Sequence, residues 1–181
     1  MGFEIRPEDA DSEDVRDLVA DLDELLDTLY SLEGGVLELP SGDLAGGRGT
    51  LLVARDDSGR AVGCGAVRRI GPLTGELKRM YVRPVARRLG VGRAILASLE
   101  SWAAGAGLEL LVLETGIHQP VAMAFYERAG YVRIDRYGEH PCSDQSVCYG
   151  KPVDKELPPD PPPARTMRLE LDPGSVIAPS R

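Results

Sequence analysis

The chain has 181 residues, 43% hydrophobic, 28% charged and 5% aromatic, with a net charge of −8, the composition of a globular protein of about one domain. No run approaches the roughly 20 apolar residues of a membrane-spanning helix, and the first residues lack the basic and apolar regions of a signal peptide, so a cytoplasmic address and no membrane association are expected. Three irregularly spaced cysteines, Cys64, Cys142 and Cys148, match neither a disulfide scaffold nor a zinc site, and no metal is expected.

Phe3 to Arg6 reads as a first strand, stopped by Pro7. A helix follows, capped by Asp11 or Ser12, because Val15, Leu18, Val19, Leu22, Leu25, Leu26 and Leu29 recur at helical spacing. Its other face is almost wholly acidic, read most simply as solvated. Six glycines and a proline make residues 34–49 a loop with room for a short helical piece. Leu51 to Arg55 and Ala61 to Ile70 form a hairpin around the turn residues 56–60, and Glu76 to Val82 is a further strand ended by Arg83-Pro84. Residues 89–104 read as a helix burying Ile95, Leu99 and Trp102. The aliphatic run Leu108 to Leu113 has the look of a strand covered on both faces in a parallel arrangement. Gln119-Pro120 opens a helix that Gly130 ends, and Tyr131 to Tyr137 and Ser146 to Lys151 close the set as strands. The expected fold class is therefore α/β, a mixed and partly antiparallel central sheet flanked by helices, spanning residues 1–151. Residues 152–181 hold eight of the 14 prolines and form an extended tail. Within it, Met167 to Leu171 could add a strand to a sheet edge, a partner subunit's included, so a homodimer is possible.

Charge is unevenly placed: −12 over residues 1–47, +5 over 48–151 and −1 over 152–181. A basic middle in an acidic chain suggests a local anionic ligand, while the acidic first segment disfavours nucleic acid and favours cationic partners. The basic stretch contains Arg87-Arg88-Leu89-Gly90-Val91-Gly92-Arg93 at a helix start, where backbone N–H groups can meet an anion with no Cβ in the way. An ordinary helix-start turn with solvated arginines accounts for the same residues. A P-loop is excluded because Gly-Lys-Ser/Thr is absent; a dinucleotide turn lacks the glycine that would replace Ile95, although Glu114 stands 22 residues past Gly92, near the spacing of a ribose-binding carboxylate.

Arg87-x-x-Gly90-x-Gly92 after a strand, then Leu113-Glu114 and Gln119-Pro-Val-Ala-Met-Ala-Phe-Tyr126-Glu-Arg-Ala-Gly130-Tyr131, resembles the GNAT superfamily of acyl-CoA-dependent N-acetyltransferases over residues 3–151. The resemblance implies acetyl-CoA as cosubstrate. It implies diphosphate contact at Arg88, Leu89, Gly90, Val91, Gly92 and Arg93, with Arg87 adding charge, and pantetheine contact at Met80, Tyr81 and Val82. A backbone N–H near Val82 would polarise the thioester carbonyl. Gln119 stands where the family usually has asparagine beside the pantetheine arm. A base must deprotonate the acceptor amine. The resemblance offers Glu76, ranked first as sharing a strand face with Lys78 and Met80, and Glu114; alternatively, Glu76 is a surface carboxylate paired with Lys78 and Glu114 a strand-end residue on nearby backbone. Tyr126 matches the family tyrosine that protonates the leaving thiolate, and core packing is its other reading. Tyr81, Tyr137 and Tyr149 are candidates to line an acceptor pocket, and aromatic packing explains them equally well. The expected activity is direct acetyl transfer, within a ternary complex, to a primary amine of a small cationic molecule or peptide held by the first helix, the 34–49 loop and residues 137–142. A non-catalytic acyl-CoA-binding module with a protein partner is the alternative.

Overall fold

A computed structural model describes residues 2–30, 41–137 and 144–154. Seven strands, β1 (Phe3–Pro7), β2 (Gly49–Asp56), β3 (Ala61–Arg69), β4 (Thr74–Val82), β5 (Leu110–Gly116), β6 (Val132–Ile134) and β7 (Ser146–Pro152), form one sheet in the order β1-β2-β3-β4-β5-β7-β6. Only β4 and β5 run parallel. The expected mixed α/β sheet is therefore what the chain forms. Among the described residues no helix is long and apolar enough to cross a membrane.

Alternation along the strands divides the core in two. Leu51, Val53, Cys64, Ala66 and Tyr81 face α1 (Glu13–Tyr30), packing on its Val15 and Leu18. Leu52, Ala54, Leu77, Leu111 and Leu113 face the other side, where α2 (Val91–Gly105) and α3 (Pro120–Arg128) contribute Ile95, Leu99 and Tyr126. Ser12 is the cap of α1: its Oγ accepts from the Val15 N–H at 3.3 Å. Asp56 organises the β2–β3 turn, its Oδ1 accepting from the N–H groups of Ser58 and Arg60.

Several expectations need correction. The α1 acidic face is only in part solvated: Asp14, Asp21 and Asp23 pair with Arg55, Arg83 and Arg79 of the sheet side at 2.6, 2.8 and 3.0 Å. Leu25 and Leu29, expected on the apolar face of α1, are each 37% exposed. β5 starts at Leu110 and lies parallel only to β4; β7 flanks its other edge antiparallel. β6 keeps three residues of the expected 131–137, since Tyr131 is buried and Tyr137 turns back toward β4. Residues 41–43 and 45–47 of the glycine-rich loop form two 3-10 turns. Residues 31–40, 138–143 and 155–181, which include Cys142, part of the expected acceptor walls and nearly all of the tail, lie outside the described residues.

Candidate active site

β4 carries a bulge. Arg79 adopts φ 55°, and the register with β3 slips between Cys64–Tyr81 and Ala66–Lys78, leaving one extra residue on β4. This reverses the phase of the strand. Glu76 and Lys78 stay on the α1 side, while Met80 crosses to the α2 side, correcting the expectation that all three share a face. Gly65 makes that crossing possible, since a Cβ there would lie 2.4 Å from the Met80 Sδ.

β4 and β5 then part. They pair from Thr74–Leu110 to Leu77–Leu113 and no further, although β4 runs to Val82 and β5 to Gly116. β3 and β7 occupy the outer edges, so two unpaired inner edges face a gap. Because the Arg83 N–H donates to Val62 O on β3, strand alternation aims the Val82 N–H into that gap. An extended chain with amides of its own can pair there as an added strand does.

At the end of β4 the backbone turns through Arg88, φ 64°, and Gly90, φ 85°, into α2. Gly90 is the N-cap residue and offers no side chain, and the first backbone bond of α2 runs from Ala94 N to Gly90 O. The N–H groups of Val91, Gly92 and Arg93 are thus left for an anion, with the helix dipole behind them. Leu89 and Gly90 precede α2 instead of opening it. Arg88 and Arg93 are exposed and make no ion pair with a described residue. Arg87 is used differently: its Nε donates to Val82 O at 2.9 Å and its guanidinium lies 5.9 Å from the Tyr81 ring centre, holding the strand end. The position of Gly92 brings three elements together, with Val82 and Phe125 in ordinary contact range of a Cβ built there.

Tyr126 projects from α3 into a cluster of rings, 5.2 Å from Phe125, 5.7 Å from Tyr131 and 6.5 Å from Tyr149 between centres. Burial raises its pKa above that of an ordinary tyrosine, so it stays a proton donor. Its hydroxyl has no hydrogen bond to a described residue, and no described side-chain oxygen is both buried and unpartnered, so that oxygen retains an outlet. Gln119 stands at the N-cap position of α3 without a capping bond; its Oε1 instead accepts from Thr115 Oγ1 at 3.1 Å. The β5–α3 connection is pinned by α1, since the His118 N–H donates to the Tyr30 hydroxyl at 3.1 Å.

The α1 side of the gap holds the carboxylates. Glu76 is 5% exposed, which removes the surface reading. Its Oε2 accepts from Arg68 Nε at 2.7 Å, its Oε1 accepts from the Tyr137 hydroxyl at 3.0 Å, and Lys78 Nζ stands 3.5 Å from Oε1. Arg68 also reaches Asp43 Oδ2 at 2.7 Å, so Glu76 ties β3 and β4 to the two segments beside the site. Burial, and then the Glu76 carboxylate, raise the Tyr137 pKa, keeping this phenol a donor. Glu114 is half-buried in register with Cys148 and accepts no hydrogen bond from a described residue. Its charge is felt at Tyr137, as is that of Glu76, which puts the three groups in one neighbourhood. Arg68 was not among the expected site residues. A cross-strand pair with Glu76 follows once the β3–β4 hairpin register is known, and that register was the missing signal.

A splayed β4–β5 pair ending in a glycine turn agrees with what comparison finds: residues 16–131 match the Acetyltransferase (GNAT) family. The chain belongs to the GNAT family of acetyltransferases. It is similar to the IAA acetyltransferase of Azospirillum brasilense, with 38% identity over 138 residues, 75% of this chain and 88% of that one. Among solved GNAT-like structures it is similar to a Klebsiella pneumoniae protein assigned to the acyl-CoA N-acyltransferases, at TM-score 0.72 and 32% identity, covering 84% of this chain and 98% of the other. A GNAT acetyltransferase of Elizabethkingia anophelis with acetyl-CoA bound shares the fold at TM-score 0.58 and 19% identity, over 83% and 98% of the two chains. The chain is thus an acetyl-CoA-dependent acyltransferase.

Proposed function

We propose that the protein transfers the acetyl group of acetyl-CoA directly to a primary amine of a small molecule or peptide arriving as an ammonium ion, within one ternary complex. The observation that carries this reading is the open β4–β5 gap, with an uncapped helix start at one end and carboxylates on its α1 face. The N–H groups of Val91, Gly92 and Arg93, with Arg88 and Arg93 side chains, hold the diphosphate. Leu89 and Gly90 shape the turn, and Arg87 secures it. The backbone of Met80, Tyr81 and Val82 pairs with the pantetheine arm beside Gln119, and the Val82 N–H stabilises charge developing on the thioester oxygen.

Of the two glutamates, Glu114 is the base, because its oxygens are available, whereas both oxygens of Glu76 are already engaged. Glu76 acts by positioning Arg68 and Tyr137. The acceptor ammonium gives a proton to Glu114, directly or through water, and the amine then attacks the thioester carbon. Nitrogen–carbon bonding is followed by carbon–sulfur cleavage, and Tyr126 donates a proton to the departing thiolate. The nitrogen sheds its second proton to solvent, solvent reprotonates Tyr126, and Glu114 releases the first proton, so one net proton leaves per turnover. A covalent route through Cys64 is unsuited: burial pushes its pKa up to about 12, and its thiol donates to Arg79 O at 3.3 Å.

Thiol release with a panel of amines tests the assignment of roles. Glu114→Gln is expected to lower kcat by about 100-fold or more. Glu76→Gln should lower kcat by about tenfold or less. A larger loss of kcat in Glu76→Gln than in Glu114→Gln would reverse the two roles.

A further inference from the structure

The α1 face of the gap is charged on both banks. Leu77–Leu113 is the last rung between β4 and β5, so the next residues, Lys78 and Glu114, are the first to flank the opening. Lys78 lies on the α1 face, where its ammonium reaches Glu76. Glu114 belongs to the same face, because Leu111 and Leu113 point to the opposite core and the Glu114 charge acts on Tyr137.

Lys78 is held in place and underused. Its side chain is 16% exposed, and its one polar contact to a described residue is Glu76 Oε1 at 3.5 Å. That oxygen already accepts from Tyr137 at 3.0 Å, and the second Glu76 oxygen is taken by Arg68 at 2.7 Å. An ammonium has three donors, and most of this one's capacity is unfilled. Meanwhile α1 offers less attraction for a polycation than its composition suggests, since Asp14, Asp21 and Asp23 are paired with arginines. A carboxylate with no hydrogen-bond partner among the described residues and a partly engaged ammonium therefore stand on opposite sides of the gap. Both lie one residue beyond the last rung, so an acceptor entering the opening meets a cation from β4 and an anion from β5, the pair that an amine and a carboxylate borne on one small molecule would match.

We propose that Lys78 binds the carboxylate of the acceptor and that the acceptor is a free amino acid, with its ammonium directed to Glu114. This rests on the acetyltransfer reading above and narrows its substrate class. The product is an N-acetyl amino acid with its carboxylate intact; one nitrogen–carbon bond forms, one carbon–sulfur bond breaks, and one net proton is released. A peptide N-terminus, which lacks the α-carboxylate, fits the pair less well.

The test compares kcat/KM for a set of free amino acids with that for their decarboxylated amines and carboxamides, using the full chain, Lys78→Met and Lys78→Arg. Acetyl-CoA affinity is measured by calorimetry on each protein. The expected result is at least about a tenfold preference for the amino acids, since a charge-assisted contact is lost with the carboxylate. Lys78→Met should lower kcat/KM for amino acids at least tenfold more than for the decarboxylated partners, chiefly through KM, and Lys78→Arg should restore much of it. Equal rates on the two sets, an equal loss on both in Lys78→Met, or acetyl-CoA binding with acetylation only of peptides or carboxylate-free amines would overturn the assignment. Failure of the wild-type chain to bind acetyl-CoA would instead sink the acetyltransfer reading beneath it.

Discussion

Replacing Arg68 with methionine probes the ion-pair hub on the α1 side of the β4–β5 gap. The substitution removes the 2.7 Å bond to Glu76 Oε2, at a carboxylate whose side chain is 7% exposed, and the 2.7 Å bond to Asp43, which is 37% exposed. The Asp43 end contributes about 0–1 kcal/mol, as exposed pairs do. The Glu76 end carries the larger cost, because breaking a buried pair strands a charge and typically costs about 3–5 kcal/mol. Tyr137 and Lys78 still contact Glu76, which places the expected total near 3 kcal/mol. Urea unfolding should report that loss with an unchanged m value, and thermal unfolding a fall of roughly 6–12 °C. Adding Glu76→Met removes the stranded carboxylate, so the double variant should cost clearly less than the sum of the two single substitutions. A single-variant cost below about 1 kcal/mol, or additive costs in the double variant, would refute the buried-hub account.

Tyr126→Phe keeps the ring packing and removes the proposed acid; kcat should fall by about 100-fold, with acetyl-CoA affinity changed less than twofold by calorimetry. A fall confined to KM would return Tyr126 to a packing role. Alkaline stability gives an independent check on burial. Tyr126, Tyr131 and Tyr137 all have pKa values raised in the folded state, so their contribution is complete below the unfolded value near 10 and is lost as pH rises through it toward the folded values. Each should remove about 1.4 kcal/mol per pH unit in that window. Tyr137→Phe should flatten the decline by one tyrosine's share in urea unfolding between pH 9 and 11, and an unchanged slope would contradict its burial.

Much of this architecture was legible because local chemistry dictates it. The leucine spacing of α1, the Asp56 turn, the Gly90 turn and Pro120 at the start of α3 each act over a few residues, and each stands where the sequence puts it. What the sequence obscured depends on register. The bulge at Arg79 has no side-chain signature, yet it moves Met80 to the other face and leaves Lys78 beside Glu76. Composition likewise could not show that three α1 aspartates are matched to arginines arriving from β2, from the β4 bulge and from just beyond β4. The surroundings of Glu76 were hidden for the same reason: Arg68 and Tyr137, 8 and 61 residues away, engage its two oxygens.

The most direct measurement is calorimetric titration of the wild-type chain and Gly92→Glu with acetyl-CoA. A Cβ at residue 92 would lie 3.6 Å from Val82 and 3.7 Å from Phe125, so the variant can fold while placing a carboxylate at the uncapped start of α2. Micromolar binding by the wild type, lost in a variant whose unfolding temperature is unchanged, is the predicted result. No binding by the wild type, or equal binding by both, would contradict the assignment of this gap as the acetyl-CoA site.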